Sequence, residues 1–185
     1  MHNHGIYLVY GAGTRGIMGE VAKTLVELSG PEAVLGIIPD ALRKHEQQGE
    51  SNDPAKEAAR EKTFGKSIVV PDMHTRKDLM TRKVLEGGPG SGFVALSGGF
   101  GTMEELMEVT TWNQLGIHDR GIVVYSVDGF WDGIMQYIKK AVEEGFITPQ
   151  NSGIIKEAAD AETAIRQLSE YAHSEDRLKL DWNQK

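Results

Sequence analysis

The chain has 185 residues, a formal net charge of −7 and no cysteine. This length allows one sizeable hydrophobic core, so we expect a single domain over 1–185, with residues 1–5 and about 176–185 flexible. The acidic balance disfavours nucleic acid as a partner, because phosphate backbones are held by clustered Lys and Arg. The lack of cysteine excludes disulfides and thiolate metal sites, which fits a reducing compartment.

No apolar stretch approaches the roughly 18 to 20 residues that a membrane span requires. No charged and apolar leader precedes the first predicted strand. We therefore expect a cytoplasmic protein without a membrane partner.

The predicted elements begin with a strand over 6–10, a glycine turn over 11–16 and a helix to about Leu28. The turn has the G-x-G-x-x-G spacing of dinucleotide-binding folds. The acid that would bind the ribose is poorly placed, because Glu32 precedes the second strand and Asp40 follows a proline. The pattern therefore favours tight helix–sheet packing with some ligand contact over NAD or FAD binding.

A second buried strand is predicted over 33–38 and a third over 67–70. Between them, residues 43–66 are polar and read as a long loop with a helical piece around 55–61, and such loops are usually functional or mobile. A helix over 73–85 follows the third strand. The glycine-rich residues 87–92 then predict a flexible connector.

The second half repeats the alternation of apolar runs and helical patterns, which indicates an α/β fold with a parallel sheet and helices on both faces. A strand over 93–96 leads into a helix that ends near Leu115. Further elements are a strand over 121–127, a helix over 131–144, a strand near 154–156 and a helix over 161–171.

The stretch 93–106 carries the strongest functional signal. Its strand ends in three glycines, Gly98, Gly99 and Gly101, and a helix is predicted from about Thr102. Glycines let the backbone approach a ligand closely, and the first N–H groups of a helix stay unpaired and attract phosphate. Glu104 and Glu105 lie within one turn of this anion site, where they suggest chemistry beside the phosphate.

Glu105 has two interpretations that the pattern leaves open. Thr102 and Glu105 have the T-x-x-E spacing of a capping box, in which each side chain would bond the backbone N–H of the other residue. The alternative is catalysis. Glu104 alone is typical of a solvated helix residue, about 100° around the helix from Glu105.

Arg76 and Lys77 directly follow a strand, where they are either surface charges or contacts to phosphate and ribose. Because ligands bind at the carboxyl ends of parallel strands, we expect segments 11–16, 73–77 and 97–105 to converge on one crevice. Asp72 and His74 are weak evidence for a metal. The remaining apolar candidates, Met73, Met103, Met107 and Trp112, are predicted to pack in the core.

Several enzyme classes lack their signatures here. No G-x-S-x-G elbow and no Gly-Lys-Ser/Thr ending is present, which argues against a serine hydrolase and a P-loop protein. No lysine has a setting that favours a Schiff base.

Four linked motifs resemble those of the LOG ("Lonely guy") family of cytokinin riboside 5'-monophosphate phosphoribohydrolases. Residues 97–105, SGGFGTMEE, resemble P-G-G-x-G-T-x-x-E, and residues 73–77, MHTRK, resemble M-H-x-R-K. Residues 112–118, WNQLGIH, are similar to W-x-Q-L-G-I-H, and residues 9–19 to V-Y-G-G-G with G-L-M-G. The resemblance extends over about 6–171.

The resemblance implies a Rossmann-like homodimer that hydrolyses the N-glycosidic bond of an N6-modified adenosine 5'-monophosphate, with no metal or organic cofactor. Arg76 and Glu105 would be the catalytic pair. Glu105 would stabilise the positive charge that builds on the ribose, or orient the attacking water. The implied substrate-binding residues are Glu46, Arg76, Lys77, Gly98, Gly99, Phe100, Gly101, Thr102, Met103, Glu104, Glu105 and Thr111.

Three features depart from the family pattern. Ser97 replaces the usual proline, the connector 87–92 is longer, and only five residues precede the strand that begins at Ile6, where the family places a further strand and helix. The rival interpretations are a non-catalytic nucleotide or molybdenum-cofactor carrier, which would not need Glu105, and an amino-acid decarboxylase, which would need a Schiff-base lysine.

Overall fold

The computed structural model describes residues 1–46 and 54–182, except for the side chains of 44–46. The chain forms two compact units, Met1–Lys83 and Val84–Lys185. Within the described residues, no helix combines the length and apolar character that a membrane crossing needs.

The first unit contains a three-stranded parallel sheet in the order β1-β2-β3. Its strands are β1 (Leu8–Tyr10), β2 (Val34–Pro39) and β3 (Lys66–Val70). The central strand β2 is buried at every position except Leu35, as expected for an apolar strand inside a parallel sheet. Its helices are α1 (Gly16–Ser29), α2 (Asp40–Glu46), α3 (Pro54–Phe64) and α4 (Met73–Leu85).

Helix α1 packs on this sheet through one apolar face. Ala22, Leu25 and Val26 are buried at the spacing of a single helix stripe. They form one cluster with residues of the sheet and of its connections, namely Tyr10, Ala12, Ala33, Val34 and Ile38.

The second unit contains another three-stranded parallel sheet, in the order β4-β5-β6. Its central strand β5 carries three fully buried β-branched residues, Ile122, Val123 and Val124. The strands are β4 (Gly92–Ala95), β5 (Gly121–Tyr125) and β6 (Ile155–Ala158), and the helices are α5 (Phe100–Gln114), α6 (Asp132–Glu143) and α7 (Ala161–Ser169). Short 3-10 turns occur at His2–His4, Pro31–Ala33 and Asn151–Gly153.

The predicted α/β class with parallel strands is confirmed. The predicted long loop over 43–66 is corrected, because its described part is mostly helical. Helix α3 covers Pro54–Phe64, which is longer than the piece predicted around 55–61. Proline suits the first helical position, and Ala, Glu, Lys and Arg, which dominate the rest, are strong helix formers.

Two segments predicted to be flexible make defined hydrogen bonds within the second unit. The guanidinium of Arg120 donates to the carbonyls of Leu85, Gly87 and Gly88, at 2.9, 3.1 and 3.3 Å. Near the carboxyl terminus, the backbone N–H of Leu178 donates to Gln114 O at 2.8 Å. Glycine content and charge do not reveal such distant donors.

Candidate functional site

Arg76 lies in the first turn of α4 and is only 7% exposed. Its Nε donates to the carbonyl oxygen of Ile37 in β2 at 3.2 Å, and its Nη1 lies 4.0 Å from the sulfur of Met73. A Cβ on Gly11 would overlap Nη2 of Arg76, so the backbone after β1 touches the guanidinium. The cation is thus held beside the carboxyl end of β1 by contacts from several elements.

Asp72 fixes the start of the helix that presents Arg76 and Lys77. Its carboxylate accepts from the N–H of Thr75 at 2.8 Å and from the Thr75 hydroxyl at 2.9 Å. These bonds lower the pKa of Asp72 because they stabilise its charged form. Among the described residues, no group of three His, Asp or Glu side chains is arranged to hold a metal ion. Lys77 is half-buried.

The glycine turn after β1 is held by α3. Ala12 is 1% exposed and has a left-handed backbone with φ 59°. Arg60 donates from Nη2 to the carbonyl of Ala12 at 2.8 Å, and the Tyr10 hydroxyl donates to Phe64 O at 3.1 Å. Burial raises the pKa of Tyr10, because it disfavours the charged phenolate.

Helix α5 begins at Phe100, two residues before the predicted start, with Gly99 as its N-cap. The N–H of Met103 bonds the carbonyl of Gly99 at 3.1 Å, so the preceding N–H groups have no intrahelical acceptor. A Cβ on Gly99 or Gly101 would meet no atom within 4 Å, and Phe100 is 95% exposed. This helix start is therefore open to a ligand.

The capping-box interpretation is wrong, because Thr102 is the third residue inside the helix instead of its N-cap. The Thr102 hydroxyl lies against Gly98, where a Cβ would overlap Oγ1. Glu104 is exposed and Glu105 half-buried. With the capping box removed, catalysis stays the prediction for Glu105.

The remaining predicted residues have mixed outcomes. Met103 and Met107 pack against the core of the second unit, as predicted. Met73 does not, since it is 40% exposed and its sulfur contacts Arg76. The hydroxyl of Thr111 donates to the Met107 carbonyl one turn earlier, at 2.8 Å.

Glu46 and Trp112 complete the predicted set. Glu46 ends α2, but its side chain lies outside the described residues. Trp112 is half-buried in α5. The structure thus brings segments 11–16 and 73–77 together through Gly11 and Arg76, whereas segment 97–105 belongs to the second unit, and its convergence with them stays a prediction.

The WNQLGIH motif closes α5. Gly116 adopts φ 75°, the N–H of Ile117 bonds Trp112 O at 2.9 Å, and the N–H of Gly116 bonds Asn113 O at 3.0 Å. This is a Schellman ending, in which a left-handed glycine satisfies the last helical carbonyls. Asn113, fully buried, donates from Nδ2 to Arg120 O at 3.0 Å.

His118 is the buried centre of this ending. Its Nε2 lies 2.8 Å from the carbonyl of Val109, and its Nδ1 lies 3.1 Å from the N–H of Arg120. These partners fix the neutral tautomer with the proton on Nε2, and burial lowers the pKa of His118. Both ring nitrogens are engaged, so His118 and Arg120 are structural residues of the motif, which sequence spacing alone did not reveal.

Comparison with known proteins gives consistent matches. A family model described as "Possible lysine decarboxylase" matches residues 18–168. A bifunctional cytokinin biosynthesis protein of Fusarium pseudograminearum (strain CS3096) is 50% identical over 98% of this chain, which spans 37% of that relative. The cytokinin riboside 5'-monophosphate phosphoribohydrolase LOG3 of Arabidopsis thaliana is 41% identical over 96% of this chain and 74% of its own.

A probable enzyme of the same name from Oryza sativa subsp. japonica, LOGL3, is 40% identical over 96% of this chain and 76% of its own. The agreement extends through both units, because each of these matches covers nearly the whole chain. The chain therefore belongs to the LOG family, whose curated members include cytokinin riboside 5'-monophosphate phosphoribohydrolases.

Proposed function

We propose that the chain hydrolyses the N-glycosidic bond of an N6-modified adenosine 5'-monophosphate, releasing the free base and ribose 5-phosphate. The open start of α5 carries this proposal. Gly99 and Gly101 leave the first helical N–H groups accessible, and a helix N-terminus with free donors favours a phosphate. The relatives named as phosphoribohydrolases act on a phosphorylated riboside, which fits such a site.

In this proposal the phosphate is held by the backbone of residues 98–103, with the motif side chains around it. Thr102 contributes the third N–H of the helix and has its hydroxyl packed against Gly98. Arg76 and Lys77 hold the phosphate and sugar, Arg76 as a planar fork and Lys77 as a point charge. Glu46 and Thr111 line the nucleotide site.

Glu105 acts on the bond that breaks. As the bond between ribose and base stretches, positive charge develops on the sugar ring, and a fixed carboxylate stabilises that charge or orients the attacking water. Glu105 lies on α5 directly before the buried Leu106, so its backbone position is fixed by the packing of the helix. The reaction uses a water molecule as its only co-reactant.

A second candidate is a nucleotide carrier that binds without hydrolysis. It would use the same open glycine turn, since a helix N-terminus binds phosphate without any acid. The proposal further includes a homodimer in the cytoplasm.

The decisive experiment incubates the purified chain with isopentenyladenosine 5'-monophosphate and separates the products by chromatography. We expect isopentenyladenine and ribose 5-phosphate, and no release of base from isopentenyladenosine, because the nucleoside lacks the group that the helix start binds. Equal turnover of nucleoside and nucleotide would contradict the phosphate assignment.

Glu105→Gln separates the enzyme from the carrier. It should lower kcat by roughly 10²- to 10⁴-fold, the range for a positioned catalytic group, while the nucleotide still binds. Glu143→Gln makes the same change on α6, where the carboxylate is exposed and lies 4.0 Å from Lys140, and should leave kcat unchanged. Full activity in Glu105→Gln would exclude the catalytic role.

A further inference from the structure

Ala12 has a backbone conformation that the fold must stabilise. Ala12 and Asp128 are the two non-glycine residues with positive φ in the described part of the chain. A residue with a Cβ is disfavoured there, because the Cβ crowds the backbone carbonyl. Ala12 is also buried, so water cannot replace a hydrogen bond that its carbonyl loses when the carbonyl changes direction.

Two contacts hold Ala12 in place. Its Cβ occupies the space above Gly36, where a second Cβ would come within 2.6 Å. Its carbonyl accepts the 2.8 Å hydrogen bond from Nη2 of Arg60 on α3. If φ of Ala12 returned to negative values, the adjoining peptide groups would rotate and this hydrogen bond would be strained or lost.

The residue before Ala12 touches the proposed catalytic cation. Gly11 lies so close to Arg76 that a Cβ would overlap Nη2. On another side of the guanidinium, Nε of Arg76 donates a hydrogen bond to the carbonyl of Ile37 at 3.2 Å. A rotation at Ala12 would therefore move one of the surfaces that set the direction of the Arg76 side chain.

We propose that Arg60 is a positioning residue for Arg76. By binding the carbonyl of Ala12, it keeps that residue left-handed and keeps the Gly11 backbone against the guanidinium. Arg60 does not touch the substrate in this arrangement. The inference rests on the proposed function, in which Arg76 holds the phosphate and sugar.

The test compares Arg60→Ala with the double variant Ala12→Gly/Arg60→Ala. Arg60→Ala should lower kcat for the nucleotide by about 10- to 100-fold, because small misplacements of a binding group have effects of that order. Glycine adopts positive φ without a penalty but loses the packing of the Ala12 Cβ on Gly36, so Ala12→Gly should restore part of the lost rate in the double variant, and Ala12→Gly alone measures the loss from packing. Lys62→Ala removes an exposed cation from the same helix and should have no effect.

A second measurement does not depend on turnover. The Nε–H proton of Arg76, which is bonded to Ile37, should give an NMR signal in the unmodified chain that is identified by its absence in Arg76→Lys. It should shift or broaden in Arg60→Ala and return in the double variant. If the unmodified chain lacks hydrolysis, the proposed function fails, while this signal still tests the role of Arg60.

An unchanged kcat and an unchanged Arg76 signal in Arg60→Ala would overturn the inference. It is also overturned if Ala12→Gly alone keeps its activity while the double variant stays as impaired as Arg60→Ala, since Arg60 would then act by another route. Where Arg60→Ala does not fold, Arg60→Met takes its place in the same comparison. Methionine has a long side chain but cannot donate a hydrogen bond to the carbonyl of Ala12.

Discussion

The chain contains two turns with the same pattern of strand, glycines and helix. Glycine is required in them for different reasons, close packing in the first and open space for a ligand in the second. In the turn after β1, Gly11 meets the guanidinium of Arg76, and the N–H of Gly13 lies 3.1 Å from the sulfur of Met18. In the turn before α5, a Cβ added at Gly99 or Gly101 would have open space around it, with no atom within 4 Å. The first turn is packed at Gly11 and Gly13, whereas the second is open at Gly99 and Gly101.

This difference separates the two parts of the proposed chemistry. A packed turn can fix the direction of a side chain, as Gly11 does for the buried Arg76. An open turn offers backbone donors whose partner must come from outside, as at Gly99. A methyl group should therefore lower stability when added at Gly11 and raise it slightly when added at Gly101, and at both positions it should impair the use of the nucleotide.

Among the variants of the two turns, Gly11→Ala should have the largest effect. The new Cβ would overlap Nη2 of Arg76, so the guanidinium must shift from the position in which its Nε bonds Ile37. We expect kcat/KM for the nucleotide to fall by about 100-fold, as for other small displacements of positioning groups. Overpacking should lower the free energy of unfolding by about 1 to 3 kcal/mol, measured by urea denaturation.

Gly133→Ala is the matched control. Gly133 is the second residue of α6, and a Cβ there would meet no atom within 4 Å. This variant should keep full activity. If Gly11→Ala also kept its activity and stability, the close packing of Arg76 against the first turn would have no functional consequence.

Gly101→Ala should have a smaller effect, and only on binding. Gly101 is the second residue of α5, the position that Gly133 occupies in α6. The methyl group would point into the space that a phosphate is proposed to fill, so KM should rise about tenfold, equivalent to 1.4 kcal/mol of binding. Because Ala favours a helix over Gly by up to about 1 kcal/mol, the melting temperature should rise slightly.

An unchanged KM in Gly101→Ala would show that no ligand approaches this part of the backbone. A fall in melting temperature instead of a rise would show that the turn is packed like the first one. Either result would remove the contrast between the two turns.

Much of the fold follows from sequence patterns, because strand burial and helix periodicity are local. The strand over 33–38 was predicted within one residue of the observed Val34–Pro39, and the helix over 73–85 agrees with α4. The T-x-x-E spacing suggests Thr102 as the N-cap of α5, yet Gly99 takes that position. The geometry of the glycine turn therefore decides where α5 begins, and the preference of threonine for an N-cap position does not.

The site was harder to predict where it depends on distant contacts. The motif predicted Arg76, but nothing in the spacing shows that Arg60, far along the chain, bonds the carbonyl of Ala12. Met73 is predicted to lie in the core, yet it is 40% exposed and its sulfur lies 4.0 Å from Nη1 of Arg76. Such outcomes depend on how elements meet, which periodicity does not encode.

The two ends of α5 provide a last comparison, since its start is open and its end is closed around His118. Nδ1 of His118 accepts a hydrogen bond from the backbone N–H of Arg120. A proton on Nδ1 would place two hydrogen-bond donors face to face and break this bond. The folded pKa of His118 is lowered by burial, and the unfolded chain therefore binds the proton first as pH falls. Stability from this residue is complete above an unfolded pKa of about 6.5 and declines as pH falls towards the folded pKa.

His118→Gln should have the smallest effect on turnover and a clear effect on this pH dependence. Glutamine can donate to Val109 and accept from Arg120 but does not titrate, so stability at pH 7.5 should fall by only about 1 to 2 kcal/mol. The decrease in the free energy of unfolding between pH 7.5 and pH 5.5, measured by urea denaturation, should be smaller in His118→Gln than in the unmodified chain. His173→Gln, at an exposed position, is the control. Equal acid sensitivity of His118→Gln and the unmodified chain would mean that His118 is not held neutral. The closed end of α5 would then accept a charged group, as its open end is proposed to accept a phosphate.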